Sequence, residues 1–218
     1  KLSSLFRIEK PDNFPAIDGS KWQKVQIAWS PDGKKLLFNM LSPQNYPQLY
    51  LLDVETNILN PTSLVFNDTV DKKNVSVDDI NWSPGPVAIV TVCFVNAHDL
   101  KQCELLSVDD EFANTTFLLD KVFGARWLSD GKTIVYSCYE ESETVQPQFT
   151  RVPKGLCSYS FQTKTIKLIS MEMKIAEWSS DGLFAFEWRG GAEGDPAYLM
   201  VYNANLNRIY RLPNWFTP

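Results

Sequence analysis

The cysteines, the sole histidine, several carboxylate clusters and the Asn-x-Ser/Thr triplets are the residues of this 218-residue chain that could do chemistry. The cysteines carry the firmest pattern. Cys93 follows Trp82 at the same distance as Cys138 follows Trp127. Aligning Gln102-Cys103-Glu104-Leu105-Leu106 with Leu156-Cys157-Ser158-Tyr159-Ser160 puts Cys103 and Cys157 at a second shared place. Where one cysteine of a set occurs, so does the other, which points to disulfides Cys93–Cys103 and Cys138–Cys157. Buried free thiols acting as small apolar residues are the alternative. A zinc site would want closely spaced ligand pairs, and His98 is the only histidine. Paired cysteines imply an oxidising compartment or a hyperthermophile cytosol.

Nucleophilic catalysis of the Ser-His-Asp kind would have to use His98, and the chain has no Gly-x-Ser-x-Gly elbow. His98 sits in Asn96-Ala97-His98-Asp99 between two predicted strands and reads as a solvated turn residue. The acidic groups Asp78-Asp79, Asp109-Asp110-Glu111 and Glu140-Glu141-Glu143 also fall in or beside turns. Hydrolysis of a glycan by two such loop carboxylates stays open, because their separation is a property of the fold. No Asp-x-Asp-x-Asp-Gly calcium loop is present. Arg189-Gly190-Gly191-Ala192-Glu193-Gly194-Asp195-Pro196 is glycine-rich, yet strands flank it where a phosphate cradle needs a helix N-terminus. No cofactor and no metal are expected. Asn67, Asn74 and Asn114 open sequons suited to glycan attachment, whereas the sequon at Asn81 adjoins Trp82. Trp22, Trp188 and Trp215 read as packing residues or as aromatic platforms.

These residues are positioned by a repeat. Trp29-Ser30-Pro31-Asp32-Gly33-Lys34 returns as Trp82-Ser83-Pro84-Gly85, Trp127-Leu128-Ser129-Asp130-Gly131-Lys132 and Trp178-Ser179-Ser180-Asp181-Gly182, each time ahead of an apolar run. The copies stand roughly 50 residues apart, the length of one propeller blade. The motif spells a tight turn: Pro presets φ, Asp caps through its side chain, and Gly takes the positive φ.

Alternation by two predicts four strands per repeat. The first repeat, about 22–66, gives strands at 25–29, 36–41, 49–54 and 62–66. The second, about 75–119, gives 77–82, 87–95, 103–108 and 115–119. The third, about 122–169, gives 123–127, 133–139, 156–161 and 165–169, with a long polar connection at 140–155. The fourth, about 173–212, gives 174–178, 183–188, 198–202 and 208–212. Residues 1–20 hold one short strand, 4–8, placed to complete the last blade; 213–218 form a tail. The expected fold is thus all-β: a single β-propeller domain over 1–218, with Trp29, Trp82, Trp127 and Trp178 as its repeating core.

Net charge is −5 with scattered Lys and Arg, so nucleic acid is not an expected partner. The longest apolar run, 87–95, is too short to cross a bilayer as a helix. No basic-then-apolar leader opens the sequence, and a processed chain would have lost one.

On the Trp-Ser-Pro-Asp-Gly-Lys turns, and on Leu49-Tyr50-Leu51-Leu52-Asp53 ahead of a polar turn, the sequence resembles the TolB-like propeller repeat. The first repeat matches closely; Asp32 has counterparts only in Asp130 and Asp181. The resemblance implies blades but little about activity, since the family includes periplasmic binding scaffolds and the non-catalytic propellers of prolyl-oligopeptidase-like enzymes. Its members usually carry six or more blades, and four are counted here. That leaves a compact four-bladed ring, which we favour, a piece of a larger propeller, or a ring completed by another chain. The expected role is a non-catalytic, secreted or extracytoplasmic module that binds a protein, copies of itself included, or builds an assembly. A hydrolase's propeller domain and a glycan-binding or glycan-acting propeller are the alternatives.

Overall fold

The computed structural model describes residues 25–41, 46–62, 64, 73–95, 101–109, 114–140, 152–173, 177–179, 183–189 and 198–213. Every regular element among them is a strand. The strands form four antiparallel sheets of four, each in simple chain order. Blade 1 is β1 (Ile27–Trp29), β2 (Lys35–Leu41), β3 (Pro47–Asp53) and β4 (Ile58–Thr62). Blade 2 is β5 (Lys73–Trp82), β6 (Val87–Val95), β7 (Lys101–Asp109) and β8 (Thr115–Asp120). Blade 3 is β9 (Val122–Trp127), β10 (Thr133–Glu140), β11 (Val152–Ser160) and β12 (Thr165–Ser170). Blade 4 is β13 (Glu177–Trp178), β14 (Phe184–Arg189), β15 (Tyr198–Asn203) and β16 (Arg208–Pro213).

Two turns recur and explain where strands start. The first follows the motif Trp. Gly33 and Gly131 have φ of 72° and 62°, and their N–H groups donate to Ser30 and Leu128 carbonyls at 2.9 and 3.0 Å. Asp32 Oδ1 accepts from the Ser30 hydroxyl at 2.7 Å and from the Lys34 N–H at 3.1 Å. Blade 2, which lacks the Asp, closes its turn with the Gly85 N–H on Ser83 Oγ at 3.1 Å. The second turn joins the third and fourth strands. Asn57, Lys164 and Asn207 all take positive φ, at 56°, 58° and 49°. Four residues before each of these, a side chain caps the turn: the Thr56, Thr163 and Leu206 N–H groups donate to Asp53, Ser160 and Asn203.

This second turn corrects one expected strand. The fourth strand of blade 1 is expected at 62–66, well after the polar turn that follows Asp53. The chain re-enters the sheet directly after Asn57, and β4 runs Ile58–Thr62 with Pro61 inside it. Pro is tolerated there because β4 is the sheet's edge and no ladder partner needs its missing N–H. The strand expected at 4–8 and the tail at 214–218 lie outside the described residues.

The chain divides into two compact units, Lys1–Lys101 with Leu106–Leu118, and Gln102–Leu105 with Leu119–Pro218. In the first, Leu37, Leu49 and Leu51 of blade 1 share one apolar core with Val75, Val77, Ile80, Trp82, Ala88 and Val90 of blade 2. In the second, Leu156 and Ile169 of blade 3 join Trp178, Ala185, Met200 and Tyr202 of blade 4. Burying such side chains gives about 1.5 to 3 kcal/mol each, and this drives face-to-face stacking of sheets that could not hide both faces alone. We term the face carrying the motif Trp the leading face and its reverse the trailing face. Within each unit, the leading face of one blade lies on the trailing face of the blade before it.

Candidate interaction surface

Cross-strand register assigns side chains to these faces. Trp29 and Ile27 pair with Leu36 and Phe38 on the leading face of blade 1, while Ala28 pairs with Leu37 on the trailing face. Trp82 and Ile80 hold the corresponding places in blade 2, opposite Ala88 and Val90. Blade 1 covers them, and Trp82 Nε1–H donates to the Ala28 carbonyl at 3.0 Å. They are 8% and 7% exposed. Trp29 and Ile27 are 50% and 60% exposed, with Val25 beside them at 46%.

Trp29 therefore departs from the expectation that all four motif tryptophans are core. The reason is positional, since among the described residues no sheet precedes blade 1 to lie over it. Trp127 is buried, edge-on to Phe161 with ring centres 5.2 Å apart, and Trp178 is half-buried, edge-on to Tyr202 at 6.3 Å. Beside the open strip, on the same leading face, Phe38, Tyr50, Leu52 and Leu59 form a small buried cluster, and the Phe38 and Tyr50 rings stack at 5.7 Å. The exposed strip thus borders a buried apolar cluster on its own face.

The four cysteines are all disulfide-bonded. Cys138 on β10 bonds Cys157 on β11 with Cα atoms 5.8 Å apart, clamping the base of the 141–151 connection. Beside it, Gly155 has φ of 155°, and a Cβ there would stand 2.0 Å from the Ser170 carbonyl oxygen. Cys103 lends its N–H to Tyr139 Oη at 2.9 Å.

Other sequence candidates are dispersed. Asn74 and Asn114 are exposed, Asn74 with φ of 52°. Asn67, His98, Glu141, Glu143, Asp110, Glu111 and the glycine-rich segment 190–196 lie outside the described residues. So do Trp22 and Trp215. Glu140 pairs with Lys154 at 2.6 Å, and this contact holds its carboxyl below the usual glutamate range. Among the described residues no His, Cys, Asp and Glu gather as metal ligands. An open cleft of about 450 Å³ in the second unit is lined by Glu172, Tyr202 and Asn207 among others. Its polar groups are engaged, Tyr202 Oη–H with Asn207 at 3.1 Å and Glu172 with Arg211 at 3.1 Å.

What sequence reading missed is the asymmetry between equivalent blades. Nothing in Trp29-Ser30-Pro31 separates it from Trp82-Ser83-Pro84, because a local motif carries no information on whether a neighbour exists.

No family model and no curated protein matches this chain. Solved structures do. TolB from Acinetobacter baumannii is similar over 87% of this chain and 44% of its own, at 16% identity and a TM-score of 0.52. The β-propeller domain of the Trilobed protease from Pyrococcus furiosus is similar over 86% of this chain and 56% of its own, at 14% identity and 0.52. Pyrococcus horikoshii acylaminoacyl peptidase is similar over 85% and 31%, at 14% identity and 0.51. The chain thus spans less than two thirds of each. At such identities the likeness shows the fold, a β-propeller of four-stranded blades like those of TolB and of peptidase propellers. No helix among the described residues is long and apolar enough to cross a membrane.

Proposed function

We propose that this chain is a non-catalytic, extracytoplasmic β-propeller module of the TolB-like repeat type, a single domain over 1–218 that works by holding a protein surface. The observation carrying this reading is the strip Val25, Ile27 and Trp29, left open at positions that a neighbouring sheet covers in blade 2. Exposed contiguous apolar surface backed by a packed sheet favours protein contact. The bonded cysteines support an oxidising compartment. Asn67, Asn74 and Asn114 are then its glycan acceptors in a host that glycosylates, and intact mass after secretory expression reports on them.

A photo-crosslinking residue at position 29 tests the reading. It is expected to capture a protein from the extracellular fraction, while the same residue at the exposed turn position Lys34 captures none. Equal capture at both positions would count against it.

The second reading, a propeller domain belonging to a prolyl-oligopeptidase-like hydrolase, draws on the similarity to the acylaminoacyl peptidase, of which the chain spans 31%. A gene product joining these blades to a serine hydrolase domain, and cleaving peptide substrates, would favour it. Cleavage of a glycan panel by the present chain, lost in Glu140→Gln, would favour the glycan-acting alternative instead.

A further inference from the structure

An Asn-x-Ser/Thr triplet works through three residues: the Asn that carries the sugar, the hydroxyl residue two places on, and the residue between them. At Asn74 the fold treats the three differently. Asn74 is exposed in a bulge of β5, where the register against β6 shifts between Lys73 and Ser76. Its φ of 52° is a left-handed value that Asn adopts more readily than most residues. Val75 is 5% exposed and belongs to the apolar core shared by blades 1 and 2. Ser76 is back in the ladder opposite Cys93, and its hydroxyl donates to the Cys93 carbonyl at 3.4 Å. Cys93 and Cys103 of blade 2 are both disulfide-bonded. The other two sequons among the described residues differ. Asn114 stands exposed ahead of β8, the outer edge strand of its sheet, and Thr116 is exposed as well. Asn81 is half-buried in mid-strand opposite Ile89, and its Ser83 is buried.

We propose that the folded protein can carry a glycan at Asn74 but cannot receive one there, so that the sugar is attached before blade 2 closes. This rests on the extracytoplasmic reading above and adds the order of two events at that site. The donor class is a lipid-linked oligosaccharide. The Asn74 amide nitrogen bonds to the anomeric carbon of the sugar, the sugar–phosphate bond breaks, and the lipid phosphate leaves with the electron pair. The amide nitrogen gives its proton to a base of the transferase. To seat the whole triplet, the transferase has to draw Val75 out of its core and Ser76 out of the ladder. Such openings are rare once a sheet is packed. Carrying the sugar asks for no opening, because Asn74 is already exposed. Synthesis leaves a short interval for the transfer: at about 5 to 20 residues per second, Cys103 follows Asn74 within about 1 to 6 seconds, and disulfides form over seconds or longer.

Transfer to purified chain tests the order. Unglycosylated full-length chain, folded and oxidised, is offered to membranes holding an oligosaccharyltransferase and its lipid-linked donor, beside the same chain reduced, alkylated and unfolded. Mass mapping after deglycosylation reads each Asn. The unfolded chain is expected to take sugar at Asn74 and Asn114. The folded chain is expected to take it at Asn114, and at Asn74 at least about tenfold more slowly. During translation into microsomes, reductant, or Cys93→Ser with Cys103→Ser, should raise occupancy of Asn74 relative to Asn114. Ser76→Ala should abolish sugar at Asn74 while leaving the left-handed residue in place. Chain glycosylated during synthesis should melt cooperatively with its cysteines bonded.

Equal transfer to Asn74 in the folded and unfolded chains overturns the proposal, as does transfer to Asn74 in neither. Occupancy of Asn74 that reductant and the cysteine variant leave unmoved overturns closure of blade 2 as the limiting event. Chain that bears sugar at Asn74 and fails to fold overturns the carrying half. Export of the chain with its four cysteines free removes the extracytoplasmic reading, whatever order the transfer experiment shows.

Discussion

Asp130 shows how much a single turn residue contributes to a blade. Its Oδ1 accepts from the Lys132 and Thr133 N–H groups at 2.8 and 2.9 Å, and Oδ2 accepts from the Thr133 hydroxyl at 2.7 Å. Burial works against the charge, yet these hydrogen bonds and the Lys132 ammonium hold the carboxyl below its ordinary value of 3.8. Asp32 is held low in the same direction, chiefly by the Ser30 hydroxyl. A carboxyl depressed on folding adds stability above its unfolded pKa and loses it as pH falls through the folded one. The melting temperature should therefore hold through neutral pH and fall below about pH 4. Asp130→Ala should cost about 1 to 2 kcal/mol at neutral pH and flatten that acid limb. An unaltered acid limb in urea melts of the variant would assign the effect elsewhere. Gly155→Ala should cost more, upwards of about 2 kcal/mol, because the new methyl group meets backbone that a side-chain rotation cannot clear. Asp130 was visible in the sequence as a turn cap. Gly155 was not, since its constraint comes from Ser170, on a different strand.

At the scale of elements, alternation and the Trp motif located sixteen strands' worth of sheet to within a few residues, and the failures have a common cause. β4 begins earlier than expected because a side-chain-capped turn returns the chain to the sheet at once, with Pro61 inside the edge strand. The same turn recurs at Ser160 and Asn203 in different letters, Asp, Ser and Asn being interchangeable as caps. Its geometry repeats where its spelling does not. The Cys138–Cys157 bond joins neighbouring strands across a sequence separation of 19. Replacing both residues with Ser should lower stability by about 3 kcal/mol, chiefly by freeing the unfolded chain. Alkylation of the native protein should label no cysteine, and a reduced, unfolded sample should take four labels, the cysteine count of the chain; labels on the native protein would contradict the bonded state.

At the scale of the whole molecule, equivalent tryptophans become unequal. Trp82 is sealed by blade 1 and anchored through Ala28, whereas Trp29 stands in the open. Trp82→Ala should cost about 3 to 5 kcal/mol, and Trp29→Ala under about 1. Chemical denaturation of the two variants decides this, and similar losses would mean that the leading face of blade 1 is covered in solution.

The repeat, the blade's turn chemistry and the coupling of the cysteines were all determined by the sequence, because each is set by neighbours along the chain or by repetition of the same local pattern. Which tryptophan is buried and why Gly155 tolerates no side chain were decided only by tertiary structure. Burial is a relation between a face and whatever lies across from it, and a motif repeated along a chain records the face without recording its neighbour.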